Sequence, residues 1–163
     1  MIRNQLELGC VKMLLLVSKF SGKKDEVRSL KRLYLFTLLM DYPKIVNGVL
    51  EKLGQEKIII KDYHQENVEL EVIMEQKFLE VDVLTTQLAI LISKGLVKVE
   101  LNDGDKIVKI TEEGKSIVNR LDPLEWSEYD ELAQIIKRHI SPILISRLEE
   151  VSAKYMPRLF VSE

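Results

Sequence analysis

"ISKGLVKVELNDGDKIVKITEEGKSIVNRL", residues 92–121, carries the pattern that decides the fold. Gly95 stops a helix. Val97, Val99 and Leu101 then alternate with Lys98 and Glu100, as in a half-buried strand. "NDGD", residues 102–105, supplies a turn in which Gly104 is free to take positive φ. Ile107, Val108 and Ile110 form the returning strand. Thr111 is a good N-cap, Glu112 and Glu113 complement the dipole of the next helix, and Ile117, Val118 and Leu121 form its inner face. On the N-terminal side, Leu84, Leu88, Leu91 and Ile92 follow amphipathic helical spacing. Helix, strand, turn, strand and helix in this order make the back half of a winged helix. The expected fold is mainly α with a small β-wing: a winged-helix-like domain with flanking N- and C-terminal helices.

Leu6, Leu8, Val11, Leu14, Leu15 and Phe20 predict a first helix over about residues 5–20, broken at Ser21 and Gly22. A second helix is expected from about Asp25, with Val27, Leu30, Leu33, Tyr34 and Leu38 on its apolar face. Its end, "FTLLMDYP", is apolar nearly all round, so this helix is buried in the core or under a partner. Pro43 ends it. "KIVNGVLEKLG" restarts a short helix, with Ile45, Val49, Leu50 and Leu53 inward and Gly54 at C′. Residues 57–72 read as a hairpin, although Leu70, Ile73, Met74 and Phe78 also fit a helix face. Pro123 closes the winged unit. A long C-terminal helix follows, capped by Ser127, with Leu132, Ile135, Ile136, Ile140, Ile143 and Leu144 as its stripe and a kink near Pro142. This divides the chain into an N-terminal helical region (1–55), a winged-helix-like region (56–122) and a C-terminal helical extension (123–163).

The chain has 163 residues, 46% apolar and 31% charged, enough for a core under a solvated surface. Cys10, the single cysteine, sits among apolar neighbours as a small core residue. The apolar run over residues 13–17 is bracketed by Lys12 and Lys19 and is too short for a secretory signal or a membrane span, so a cytoplasmic protein is expected. His64 and His139 stand far apart without a zinc spacing, and His139 reads as a solvated helix residue. No phosphate loop or nucleophile elbow is present, and the carboxylates of "QENVELEVIMEQ" are spaced like a solvated face. No catalytic, cofactor or metal site is expected.

The net charge of −2 argues against a free-standing DNA binder. The helix that would enter the major groove has Asp82, Thr85, Thr86, Gln87, Ser93 and Lys94 as its polar positions and no arginine. The wing offers Lys98, Lys106 and Lys109, but Glu100, Asp103 and Asp105 stand among them. Lys19, Lys23, Lys24, Arg28, Lys31 and Arg32 cluster against Asp25 and Glu26, and read either as a phosphate- or partner-facing patch or as a solvated helix face. Residues 51–80 reverse the balance, with eight acids against four lysines, and such polarity suits docking on charged proteins.

"RLYLFTLLMDYP", then "LTTQLAILISKGLVKV" and "VKITEEGKSIVNRL", then a long terminal helix, resemble in their order the small middle components of three-component ABC ATPase systems, including the small subunit of Lamassu-type anti-phage complexes. That family's apolar helix ends in Leu-Asp-Tyr; here Met40 precedes Asp41 and Tyr42. Ser93, Lys94, Gly95, Leu96 and Val97 match its small-basic-Gly-Leu-Ile/Val turn. The resemblance spans about residues 30–145. It implies a non-catalytic subunit beside an SMC-like ABC ATPase and an effector, often a nuclease, with DNA touched weakly or through the assembled complex. The alternative from the residues alone is a DNA-binding winged-helix transcriptional regulator.

Overall fold

The computed structural model describes residues 2–20, 27, 29–55 and 77–143. The expected segment at residues 57–72, and Lys23, Lys24, Arg28, His64 and Leu144, lie outside them. The described elements are α1 (Ile2–Ser18), α2 (Leu30–Asp41), α3 (Pro43–Lys52), α4 (Lys77–Ser93), β1 (Val97–Asn102), β2 (Asp105–Ile110), α5 (Glu112–Asn119) and α6 (Pro123–Ile135). A π-helical stretch, Ile136–Ile140, continues α6. The protein is thus mostly helical with a small two-stranded antiparallel sheet, as the sequence led us to expect.

Helix α1 is the hub, packing against α2, α4, α5, α6 and β2. Met13, Leu14, Leu15, Leu16 and Val17 are all essentially inaccessible. Five consecutive buried residues mean that α1 is covered all round, which an isolated amphipathic helix never is. Phe20 stacks nearly parallel on Phe36 at 6.3 Å. On α2, Leu33, Leu35, Phe36, Leu38, Leu39 and Met40 are each at most 3% exposed. The chain itself therefore covers the over-apolar helix, and of the two readings of this helix, core burial holds.

Helix α2 begins at Leu30 rather than near Asp25. Ser29 is its N-cap, in extended backbone, with its side chain accepting the Arg32 N–H. Tyr42 takes the non-helical backbone required before proline, and Pro43 then opens α3 at N1, where a missing N–H costs nothing. Gly54 (φ +72°) and Gly95 (φ +72°) end α3 and α4 in the same way. Gln55 N–H reaches Leu50 O and Gly54 N–H reaches Glu51 O; Leu96 N–H reaches Leu91 O and Gly95 N–H reaches Ile92 O. This is the Schellman pairing, and it satisfies carbonyls that each helix end would otherwise orphan.

Helix α6 corrects the sequence reading. It starts at Pro123, capped by Asp122, whose carboxylate accepts the Leu124 N–H at 3.0 Å. Ser127 is therefore inside the helix, and Pro123 opens a helix rather than closing a unit, because proline at N1 is pre-shaped for helix entry. The interruption expected near Pro142 is present as the π turn, where Ser141 N–H donates to Ile136 O at 2.8 Å. Widening the helix here accommodates a residue that has no N–H to donate. His139, within that turn, is half-buried rather than solvated.

Lys12 is almost fully buried. Its ammonium pairs with Asp41 at 2.5 Å and lies 4.7 Å from the centre of the Tyr129 ring. One cation thus ties α1 to the end of α2 and to α6. Lys19 makes the equivalent tie from the end of α1 to Asp130 of α6.

Candidate docking face

The hairpin closes through Asp103 (φ 52°) and Gly104 (φ 85°). Two central residues with positive φ mark a type I′ turn, whose twist matches that of the strands and fixes their register. Lys98 then stands opposite Lys109, Val99 opposite Val108, and Leu101 opposite Lys106. Val27 bridges β2 on its other edge, and Val108 N–H donates to Val27 O at 2.9 Å.

The pleat divides the three wing lysines. Lys98 and Lys109 share one face with Glu100, which receives them at 3.2 Å and 3.0 Å. Lys106 is on the opposite face, beside Leu101. The wing therefore has no single basic patch. The hydrogen bond from Lys109 and then that from Lys98 hold the Glu100 carboxyl below the usual glutamate range. Whatever stability this exposed cluster gives is complete above the ordinary glutamate pKa of about 4.3 and is lost as pH falls through the depressed value. NMR titration of the Glu100 carboxyl is expected to show this depression. Lys109→Met should move the midpoint back up further than Lys98→Met, and equal effects would contradict the order of causes.

The apolar face of the wing fades outward. Val97 is 2% exposed, Val99 36% and Leu101 76%. The alternation in the sequence is real, but the hairpin projects past the core, so only its base has anything to pack on. On α4, Leu84, Leu88 and Leu91 face inward as expected, while Ile92 is 42% exposed, one helical step beyond Leu91. Gln87, expected among the outward polar positions, is 5% exposed and packs against Gly9 of α1, where an added Cβ would meet its amide nitrogen at 1.9 Å. Among the described residues its Oε1 has no hydrogen-bond partner. Cys10 lies beside it, a buried free thiol whose pKa is pushed up by burial, against the opposing pull of Lys94.

The outward side of α4 consequently presents Asp82, Val83, Thr85, Thr86, Ala89, Ile92, Ser93 and Lys94. A phosphate-tracking surface makes on the order of six or more cationic contacts, whereas the described side chains of this face, residues 82–94, include one cation, Lys94, at the end. Of the N-terminal basic residues that are described, Lys31 is exposed on the first turn of α2. Arg32 is half-buried and turned inward: Nη1 donates to Ser141 O at 3.0 Å and Nη2 to Ile143 O at 3.1 Å. Burial lowers its pKa. Sequence reasoning missed this role because the acceptors are backbone carbonyls more than a hundred residues away.

Among the described residues, no group of three or more His, Cys, Asp or Glu side chains is placed to hold a metal ion, and no helix is long and apolar enough to cross a membrane. The fold and surface define a helix-rich domain with a projecting hairpin and a nearly uncharged outer helix face. The chain belongs to the family described as ABC-three component (ABC-3C) system Middle Component 4, whose model matches residues 19–142, more than half its length. Membership implies an accessory role beside partner subunits in a multi-component ABC system. No curated protein and no solved structure matches the chain significantly.

Proposed function

We propose that this protein is a non-catalytic cytoplasmic subunit that docks an SMC-like ABC ATPase, an effector nuclease, or both, in a Lamassu-type defence complex against phage or plasmids. The observation that carries the reading is the outer surface of α4 and the wing. Val83, Ile92, Val99 and Leu101 are exposed there on elements that a DNA reader would arm with arginine. Helix α4, the hairpin and α5, with Val27 bridging β2, fit a winged-helix unit adapted to bind protein. Lys98, Lys106 and Lys109 on the wing, and Lys23, Lys24, Arg28 and Lys31, then serve as rim charges that steer partners. Arg32 contributes to the frame rather than to the rim.

Co-expression with the ATPase subunit of the same system is expected to yield a stable complex. Ile92→Glu with Leu101→Glu should reduce ATPase recovery at least about tenfold, by placing charge in an apolar contact, while the circular dichroism of the variant stays unchanged. The purified chain alone should bind DNA only weakly, with a steep salt dependence and without sequence preference. Full ATPase recovery with the folded double variant would sink the reading, and a footprint on one operator at physiological salt would favour the transcriptional regulator instead.

A further inference from the structure

A second surface lies on the far side of α1, at the start of α6. Leu15, Val118, Asn119, Leu121, Pro123, Trp126, Ser127 and Asp130 surround an open pocket of about 280 Å³. Its inner wall is apolar: Leu15, Val118, Leu121 and the ring of Trp126, which is tilted against Tyr129 at 5.5 Å. Leu124, one turn of α6 away, is 94% exposed, the most exposed large apolar side chain among the described residues. Nothing in the capping of α6 requires a leucine there, since Asp122 bonds only its backbone N–H.

The stretch of chain that carries the start of α6, beside this pocket, is acidic. Asp122, Glu125, Glu128, Asp130 and Glu131 fall within ten residues, and no lysine or arginine occurs between Arg120 and Lys137. Asp130 is paired with Lys19, and Arg120, at the end of α5, donates from Nε to Ser116 O. Leu124, Ser127 and Glu131 follow at helical spacing, so an apolar, a small and an acidic side chain share one stripe beside the pocket. An apolar pocket with an apolar lip and an acidic flank is complementary to a segment that is apolar on one side and cationic on the other.

We propose that this groove receives a cationic amphipathic helix of a partner subunit, with one apolar side chain of that helix seated in the pocket against Trp126, another lying over the neighbouring Leu124, and its lysines or arginines facing the acids of α6. The inference deepens the docking-subunit reading and rests on it for the partner's existence. It assigns the α6 groove and the α4–wing face to different contacts. A middle component that joins two other subunits requires two such faces.

Trp126 is the only tryptophan, so its emission reports on the groove directly. The full chain is titrated with a synthetic leucine–lysine amphipathic helical peptide. Controls are the same peptide with glutamate for lysine, and a permutation of the first that destroys its helical period. The expected result is a saturable shift of Trp126 emission with the cationic amphipathic peptide, weakened by salt and absent with both controls. Leu124→Ser, at a position with almost no native contacts, should weaken binding about tenfold by removing one buried leucine from the contact. Glu131→Lys should weaken it several-fold. No saturable shift, equal binding of either control, or binding that either variant leaves unchanged overturns the proposal. Recovery of the ATPase subunit is read separately. A silent titration beside an intact complex removes the groove alone, and a failed complex beside a working titration removes the subunit reading alone.

Discussion

Replacing Gly114 by alanine is expected to destabilise the protein by about 2–3 kcal/mol, despite alanine's advantage of about 1 kcal/mol in a helix. A Cβ at Gly114 would lie 2.2 Å from the carbonyl oxygen of Leu96 and 2.7 Å from Cγ1 of Ile110. The oxygen belongs to backbone that cannot turn aside. Leu96 O already accepts the Thr111 N–H at 3.0 Å, and the Thr111 hydroxyl donates to Gly95 O at 2.6 Å. That hydroxyl also accepts the Gly114 N–H at 3.0 Å, so pushing Gly114 outward breaks the N-cap of α5, itself worth about 1 kcal/mol. The end of α4, the base of the wing and the start of α5 meet at this one joint. Loosening it should free the wing from α4 and so impair docking as well as stability. Denaturant unfolding measures the first effect and ATPase recovery the second. A Gly114→Ala protein as stable as the parent would show that the approach of α5 to Leu96 is slack.

Gly9 makes the contrast. The atoms nearest a Cβ there all belong to the Gln87 side chain, which can rotate, so the clash with backbone at Gly114 is the harder one. Neither constraint could be read from the sequence, where both glycines are simply helix residues of poor propensity. What could be read were the devices written within a few residues. Gly54 and Gly95 as helix stops, Asp103–Gly104 as a tight turn and Thr111 as an N-cap all act as expected. The starts of α2 and α6 fall instead at the Ser29 and Asp122 caps, where helices were expected from about Asp25 and from Ser127.

The candidate surface was less legible, because exposure depends on what stands nearby in space. Alternation placed Leu101 on an inward face, which it is, but the face extends past the core and Leu101 is left in solvent. Three wing lysines close in sequence are split by the pleat, and one glutamate holds two of them. In the sequence Lys12 is only a charge that brackets an apolar run. Its burial depends on Asp41, on another helix, and on the ring of Tyr129. Pairings of that separation leave no trace in local pattern.

Arg32 and Lys31 are adjacent in sequence, yet charge reversal at the two should have opposite consequences. Arg32→Glu is expected to cost about 3 kcal/mol or more, since it removes two charge-assisted hydrogen bonds and sets a half-buried carboxylate against the Ser141 and Ile143 carbonyls. Those carbonyls lie just past the π turn, and the guanidinium fork reaches both at once. Arg32→Lys should recover only part of the loss, because an ammonium lacks the planar fork that spans two acceptors. Lys31→Glu, on the exposed side of α2, should change stability by less than about 0.5 kcal/mol. Any loss of partner binding in Arg32→Glu then reports a loosened junction between α2 and the end of the α6 helix, whereas loss in Lys31→Glu reports a contact with the partner itself. Thermal unfolding of the three variants beside ATPase recovery separates the two. An Arg32→Glu protein with unchanged stability would show that the clamp carries no load, and would return Arg32 to the partner-facing group in which its sequence neighbours place it.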